Sequence, residues 1–195
     1  IRHKLRKLLE DAGVPIQEKT EEEVYNMVLP KGSKQEKAFI RLVVTFVTLV
    51  KASCKSVKEV LQQAKIAGDE RSVFIIKNIF QPVYEHYINA LSDSNQIDFT
   101  DAILQATEIC RVSHPVEYDY IIVDEFQDIS VDRYNFLKVL REGNPPAKLY
   151  CVGDDWQSIY RFSGSDMALF NQFPEYFGAT EINKIETTYR FGEPL

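Results

Sequence analysis

The sequence predicts an α/β protein, in which a parallel sheet carries an all-helical insertion, and three observations lead to this prediction. Residues 1–91 show helical periodicity throughout. Two short apolar runs, residues 120–123 and 149–152, have the length and composition of buried strands. A helical stretch after Ser130 separates them, and strand, helix and strand within about 35 residues are typical of a right-handed parallel βαβ unit.

The helical segments share apolar residues at every third or fourth position and end at turn-forming residues. They are predicted over residues 4–12, 21–29, 34–52, 57–67 and 69–91. Thr20 opens a capping-box pattern and Ser56 is a second predicted cap, while Gly68 is expected to end the fourth helix. Pro82 lies within the last segment and is expected to bend it, because proline lacks the N–H that a helix needs.

Beyond the turn at residues 92–95 the pattern changes. Residues 97–104 are predicted to be a short extended piece that leads into a helix, with Thr100 as its cap. The continuous apolar run over residues 120–123 predicts a strand that is buried on both faces, as in the interior of parallel sheets. Ser130 is expected to cap the helix that follows.

This change of pattern places a domain boundary between residues 95 and 96. Residues 1–95 carry 15 Lys and Arg against 12 Asp and Glu, whereas residues 96–195 carry 8 against 17. The first part is therefore mildly basic and the second part is strongly acidic. Contact with phosphates would explain the basic excess, and a solvated helical surface explains it as well.

Composition argues against several classes of protein. The three cysteines and three histidines are scattered and lack CxxC spacing, so neither a disulfide framework nor a zinc site is predicted. No apolar run approaches the roughly 18–20 residues that span a bilayer. The first residues lead into an amphipathic pattern rather than a signal peptide. A cytoplasmic protein without membrane contact is therefore expected.

Acidic residues follow both predicted strands. Asp124 and Glu125 come directly after the first strand, and Asp154 and Asp155 follow the second. Ligands of open α/β sheets bind beyond the carboxyl ends of the strands, so both acidic tips are expected at one crevice. One carboxylate there can hold Mg²⁺ through water while its neighbour orients an attacking water, which is the chemistry of a metal–nucleotide site. From these acids alone, a strand that ends in solvated carboxylates remains an open interpretation.

Four segments, in order along the chain, resemble motifs of superfamily 1 DNA helicases of the UvrD/Rep type. They are Ile97-Asp98-Phe99 with Asp101, Asp124-Glu125-Phe126-Gln127-Asp128, residues 153–162, and Thr187-Thr188-Tyr189-Arg190-Phe191. Details such as Asp128-Ile129-Ser130 and Trp156 are most similar to the helicase IV branch of that family. The resemblance implies that residues 96–195 are the C-terminal part of a RecA-like P-loop NTPase domain, called 1A. Residues 1–95 would then be its helical insertion, called 1B.

The resemblance also implies roles for five residues toward a nucleotide. Asp124, with Glu125 beside it, would form the site of the Mg²⁺ of bound ATP, and Glu125 would also activate the hydrolytic water. Gln157 would sense the γ-phosphate, and Arg190 would reach it as a cation that matches the developing charge. Tyr189 would stack on the adenine base. The implied cofactors are therefore ATP and Mg²⁺.

Tyr160 and Phe162 occupy the family's contact with single-stranded DNA, where aromatic rings stack on unpaired bases without selecting a sequence. Trp156 is interpreted as a packing residue. The implied activity is that of an ATP-dependent 3′→5′ DNA helicase or translocase, which moves on single-stranded DNA and acts on duplex DNA. Taken singly, Tyr160 and Phe162 would also be explained as core aromatic residues.

A phosphate loop of the form GxxxxGK[ST] occurs nowhere in the 195 residues. We therefore expect an internal fragment of a larger motor, which works with the remaining helicase domains of its parent chain and is inactive alone. Two other interpretations stay open. One is a non-hydrolysing protein-interaction module with a degenerate RecA-like domain, and the other is a nuclease that uses Asp124, Glu125 and Asp128 as a metal cluster.

Overall fold

The structure is a computed structural model that describes residues 36–113, 117–157 and 164–185. Within these ranges the chain is α/β, mostly helical, with one small parallel sheet. The helices are α1 Glu36–Ala52, α2 Val57–Ile66, α3 Glu70–Ile75, α4 Gln81–Asp93, α5 Phe99–Ser113, α6 Val131–Glu142, α7 Met167–Asn171 and α8 Phe173–Phe177. The strands are β1 Tyr120–Val123 and β2 Lys148–Cys151. The helices predicted over residues 4–12 and 21–29 lie outside the described residues.

Helix α2 begins and ends as its sequence predicts. The Ser56 hydroxyl accepts the Glu59 N–H at 3.2 Å, and the Glu59 carboxylate accepts the Ser56 N–H at 2.7 Å. These two bonds satisfy N–H groups that a helix start otherwise leaves unpaired. Gly68 follows the helix with a φ of 69°, a left-handed conformation that glycine adopts without strain.

The bend expected at Pro82 takes the form of a wider helical turn. Between α3 and α4 the chain forms a π-helical turn, Ile76–Phe80, and the Gln81 N–H donates to the Ile76 carbonyl five residues earlier. Pro82 lies in the first turn of α4, directly after this π-helical turn, and the altered bonding pattern accommodates its missing N–H. The helix therefore continues past the proline by changing its pitch.

The N-terminal helices share one apolar core. Helix α1 contributes Val43, Val47 and Val50, which recur at the spacing that the sequence predicts for one helix face. Phe46 stacks on Phe80 with ring centroids 4.2 Å apart. The other buried members are Val57, Ile76, Phe80, Tyr87 and Leu91. Burial of these apolar side chains holds α1 against the helices that follow it.

A buried ionic cluster joins the end of α1 to the start of α5. Lys51 Nζ lies 2.5 Å from Asp98 Oδ2 and 2.6 Å from Asp101 Oδ1. The Tyr87 hydroxyl donates to the same Asp98 oxygen at 2.9 Å. Burial, followed by the charge of Asp98, raises the pKa of Asp101. Lys51, which is itself buried, is thus the cation that offsets the charge of two neighbouring, partly buried carboxylates.

Asp98, and not Thr100, caps helix α5. Asp98 Oδ1 accepts the Asp101 N–H at 2.8 Å, and the Asp101 carboxylate accepts the Asp98 N–H at 3.3 Å. The prediction of Thr100 as the cap is therefore wrong. Both residues have capping side chains, but Asp98 also contacts Lys51, and this tertiary contact fixes where the helix begins.

The predicted parallel pair of strands is confirmed. Ile121 of β1 lies opposite Leu149 of β2, in a parallel register that runs from Tyr120 to Val123. The prediction of burial on both faces is wrong for the described part of the chain. Side chains on one face pack inward, whereas those of Tyr120, Ile122 and Tyr150 are between 61% and 65% exposed. An apolar run of four residues does not distinguish the two cases, because strand side chains alternate whatever covers them.

The covered face of the sheet packs on an aromatic cluster below the strand tips. Phe126, which follows β1, contacts Phe173 and Phe177 edge-on, with ring centroids 5.3 and 6.0 Å away.

Ser130 occupies the position before α6 but makes no capping bond, since its hydroxyl donates to the Asp132 carboxylate instead. No helix among the described residues is both long and apolar enough to cross a membrane.

Candidate active site

The acidic residues that follow β1 form a tight turn. Glu125 has a φ of 53°, in the left-handed region that residues other than glycine seldom adopt. Its N–H donates to Asp124 Oδ1 at 2.9 Å. Both carboxylates are exposed to solvent. The turn therefore keeps two acids accessible at the carboxyl end of the strand.

The tips of the two strands are held together by backbone hydrogen bonds beyond the sheet. The Val152 N–H donates to the Val123 carbonyl at 2.8 Å, and the Phe126 N–H donates to the Val152 carbonyl at 2.8 Å. These bonds extend the parallel pairing to the point where each strand turns. As a result, the acids after β1 and those after β2 share one edge of the sheet, as predicted.

Gln127 bridges the two tips with its side chain. It is 1% exposed, its Nε2 donates to Glu125 Oε2 at 2.6 Å, and its Oε1 accepts the Asp154 N–H at 2.9 Å. Gly153 makes this approach possible, because a Cβ there would lie 2.6 Å from Gln127 Oε1. The bridge thus connects the acidic turn after β1 to the loop after β2.

Asp154 continues the connection to Gln157. Its Oδ2 accepts from Gln157 Nε2 at 2.7 Å, and its Oδ1 accepts the Trp156 N–H at 3.0 Å. A short 3-10 helix, Asp155–Gln157, carries both donors. Glu125 and Gln157, which the sequence predicts at one site, are therefore linked through two intervening residues: the side chain of Gln127, and the backbone N–H and side chain of Asp154. Four other predicted site residues lie outside the described residues: Tyr160, Phe162, Tyr189 and Arg190.

The interpretation of Trp156 as a packing residue is not supported. Trp156 is 92% exposed to solvent. Trp156 lies beyond β2, in the short 3-10 helix Asp155–Gln157, and an aromatic residue close to a strand in sequence need not belong to the core. Trp156 is a side chain at the rim of the candidate site.

The donor chemistry fits a magnesium ion that is shared with phosphates. Asp124 offers a carboxylate whose Oδ2 has no hydrogen-bond partner among the described residues. Across residues 36–113, 117–157 and 164–185, no three His, Cys, Asp or Glu side chains gather closely enough to hold a metal. Mg²⁺ usually takes one or two protein carboxylates and completes its shell with water and phosphate oxygens. The grouping of Asp124, Glu125 and Asp128 that a nuclease would need is therefore not supported.

Asp128 differs from the two acids of the turn. Its Oδ1 is buried and has no hydrogen-bond partner within the described part of the chain. Burial and then the negative charge of Glu125 raise the pKa of Asp128. Asp128 is therefore partly buried, whereas the two acids of the turn are exposed.

The sequence pattern alone indicates no separate role for Gln127, although the residue lies within the motif of residues 124–128. Its partner Asp154 is 27 positions away, and no local pattern indicates a contact over that distance. The available signal was chemical. An amide between two acidic strand tips can donate to one and accept from the other, which few other side chains can do.

Comparison with known sequences places the chain in a family. A sequence model of the UvrD/REP helicase N-terminal domain matches residues 2–178. The chain therefore belongs to the UvrD/REP helicase N-terminal domain family, and the predicted resemblance is confirmed.

Individual relatives agree with this assignment. The chain is 43% identical over 118 residues to DNA helicase IV of Escherichia coli (strain K12), in an alignment covering 60% of this chain and 17% of the relative. It is 33% identical to the ATP-dependent DNA helicase Rep of Buchnera aphidicola, over 57% of this chain and 18% of the relative. It is 30% identical to DNA helicase II of Escherichia coli (strain K12), over 59% of this chain and 16% of the relative. The chain thus spans less than a fifth of the length of these curated relatives.

Proposed function

We propose that this chain is part of an ATP-dependent DNA helicase, and that its acidic edge is one wall of the site that hydrolyses ATP. The proposal rests on one observation above others, the chain of hydrogen bonds from Glu125 through Gln127 and Asp154 to Gln157. Two acidic strand tips joined in this way at the carboxyl edge of a parallel sheet suit a nucleotide site. Residues 96–195 would belong to a RecA-like domain, and residues 1–95 would form its helical insertion.

In this proposal four residues act on the phosphates or on the attacking water, and a fifth contacts the adenine base. Asp124 would hold Mg²⁺, and the ion would supply positive charge at the phosphates. Glu125 accepts the proton of the attacking water. Gln157 contacts the γ-phosphate with its amide, and Arg190 stabilises the charge that develops there. Tyr189 stacks on the adenine.

The proposed link to DNA lies directly after Gln157. Tyr160 and Phe162 would stack on unpaired bases, and only a few residues separate them from the phosphate-sensing amide. A change at the nucleotide would thereby reach the DNA contact along a short stretch of backbone. Movement would be 3′→5′, on single-stranded and duplex DNA, in a cytoplasmic enzyme together with the remaining helicase domains.

We expect the isolated 195-residue chain neither to bind ATP tightly nor to hydrolyse it. The sequence contains no GxxxxGK[ST] loop, whose backbone N–H groups and lysine supply most of the binding to a triphosphate. Phosphate release with Mg²⁺ and ATP, with and without single-stranded DNA, measures this. The Glu125→Gln chain is the control, because equal release by both chains identifies a contaminating ATPase. Turnover that is present in the unsubstituted chain and absent from Glu125→Gln would contradict the expectation.

In the full-length protein, Phe162→Ala is expected to lower DNA-stimulated ATPase activity by about tenfold, because a lost base stack costs about 1–3 kcal/mol. Basal ATPase without DNA should change less than twofold. A titration of ATPase rate with single-stranded DNA measures both. Phe74→Ala, which removes an exposed phenylalanine from α3, is the matched control. Equal losses of basal and stimulated activity would show that Phe162 supports the fold and not the DNA contact.

A further inference from the structure

We infer that Gln127 is a positioning residue that fixes the Glu125 carboxylate for proton transfer and ties it to the loop after β2. The inference rests on the proposed function and deepens it. Gln127 does not reach the crevice, since it is 1% exposed. It acts through Glu125, whose Oε2 it contacts at 2.6 Å.

The orientation of the Gln127 amide follows from its neighbours. The Asp154 backbone N–H can only donate, so the group that faces it at 2.9 Å must be the amide oxygen. The Nε2 group must then face Glu125, where a carboxylate can only accept. Both partners require the same orientation, and the amide is held from both ends. A carboxylate bound in this way has one oxygen fixed and one, Oε1, left to accept a proton.

Packing alone does not account for a glutamine at this position. A buried amide costs free energy unless its polar atoms are paired, and an apolar side chain of similar volume would avoid that cost. Both polar ends of Gln127 are paired with site elements, the Glu125 carboxylate and the Asp154 backbone. The same contact requires glycine at position 153, because a Cβ there would lie 2.6 Å from Gln127 Oε1 and 2.8 Å from the Phe170 ring. Two positions are thus specialised for one bridge.

The bridge also explains how the two strand tips act together. Asp154 accepts from Gln157 through its side chain and donates to Gln127 through its backbone. A shift of the loop that carries Gln157 therefore changes the position of the Asp154 N–H and, through Gln127, that of Glu125. The residue that contacts phosphate and the residue that activates water are coupled without touching each other.

The test is Gln127→Met in the full-length protein, which keeps the volume and removes both hydrogen bonds. We expect kcat for ATP to fall by about 10- to 100-fold, as for the loss of other groups that orient a reacting residue. The KM for ATP should stay within about threefold, because Gln127 does not contact the nucleotide. Gln62→Met, at an exposed position of α2, is the matched control and should leave kcat unchanged.

A double-mutant cycle separates positioning from a structural role. Single-turnover hydrolysis by Glu125→Gln, Gln127→Met and the double variant remains measurable when steady-state turnover is slow. If Gln127 acts through Glu125, adding Gln127→Met to Glu125→Gln should change the rate by less than about twofold. Equal rate losses from Gln127→Met in both backgrounds would overturn the positioning role.

A second readout does not depend on activity. The Asp154 amide, protected by Gln127 Oε1, should exchange its hydrogen about tenfold faster in Gln127→Met, as measured by hydrogen exchange and mass spectrometry. Gly153→Ala should have the same effects on exchange and kcat, because its Cβ would displace an unaltered Gln127. If Gln127→Met does not fold, Gly153→Ala is used for the same two measurements. Unchanged exchange at Asp154 in a folded variant would overturn the inference.

Failure of the inference is distinguishable from failure of the proposed function. If Glu125→Gln loses turnover while Gln127→Met and Gly153→Ala keep it, only the role of Gln127 is overturned. If Glu125→Gln itself keeps turnover, the proposed site is wrong and the positioning role falls with it.

Discussion

Glu125→Gln in the full-length protein is expected to lower kcat for ATP hydrolysis by about 10²- to 10⁴-fold, the usual contribution of a general base. The amide has the shape of the carboxylate and can still accept a hydrogen bond from Gln127, but it cannot take a proton from water. ATP binding should stay within a few-fold of the unsubstituted protein. Steady-state phosphate release and a fluorescent ATP analogue measure the two effects separately.

The matched control is Glu117→Gln, which makes the same change at an exposed position just before β1. It should leave both kcat and binding unchanged. Unaltered hydrolysis in Glu125→Gln would remove this residue from the mechanism. Loss of binding along with turnover would instead place Glu125 in the binding of the nucleotide.

Lys51→Met is expected to destabilise the isolated chain by about 2–3 kcal/mol, less than the roughly 3–5 kcal/mol that removing one partner of a fully buried ion pair costs, because water still reaches both carboxylates. The Lys51 side chain is only 4% exposed, and its loss leaves the carboxylates of Asp98 and Asp101 without their cation. Methionine fills most of the space, so the loss is electrostatic rather than a cavity. Urea unfolding followed by circular dichroism gives the free energy.

Two further variants test the cause. Lys58→Met removes an exposed lysine from α2 and should change stability by less than about 0.5 kcal/mol. Adding Asp101→Asn to Lys51→Met should recover part of the loss, because it removes one of the two uncompensated charges. A Lys51→Met chain as stable as Lys58→Met would show that the cluster contributes little to folding.

Most elements follow from the sequence because their signals are local. Helix α1 has its apolar residues on one face, and α2 has a capping box at Ser56 and a glycine after its end. The two strands and the helix between them were predicted within a residue or two, since short apolar runs separated by an amphipathic segment have few other arrangements. The acidic tips meet at one edge because parallel strands end on the same side.

The errors have tertiary causes. Asp98 and Thr100 compete to cap α5, and the choice depends on Lys51, which is 47 residues from Asp98. The exposure of one face of the sheet depends on what packs against it, and four apolar residues carry no information about that. The role of Gln127 is not visible in the sequence for the same reason, because its contact with Asp154 forms only when the two strands pair.

The backbone at Glu125 has a consequence for protein engineering. A left-handed conformation costs an L-residue other than glycine roughly 1–2 kcal/mol, and asparagine or glycine would adopt the φ of 53° more readily. Selection of this chain for heat resistance alone would therefore favour replacing the acid that we assign to water activation. Libraries that seek more stable variants should keep codon 125 constant. The residues that relieve the backbone strain there, glycine and asparagine, lack the carboxylate that turnover is expected to need.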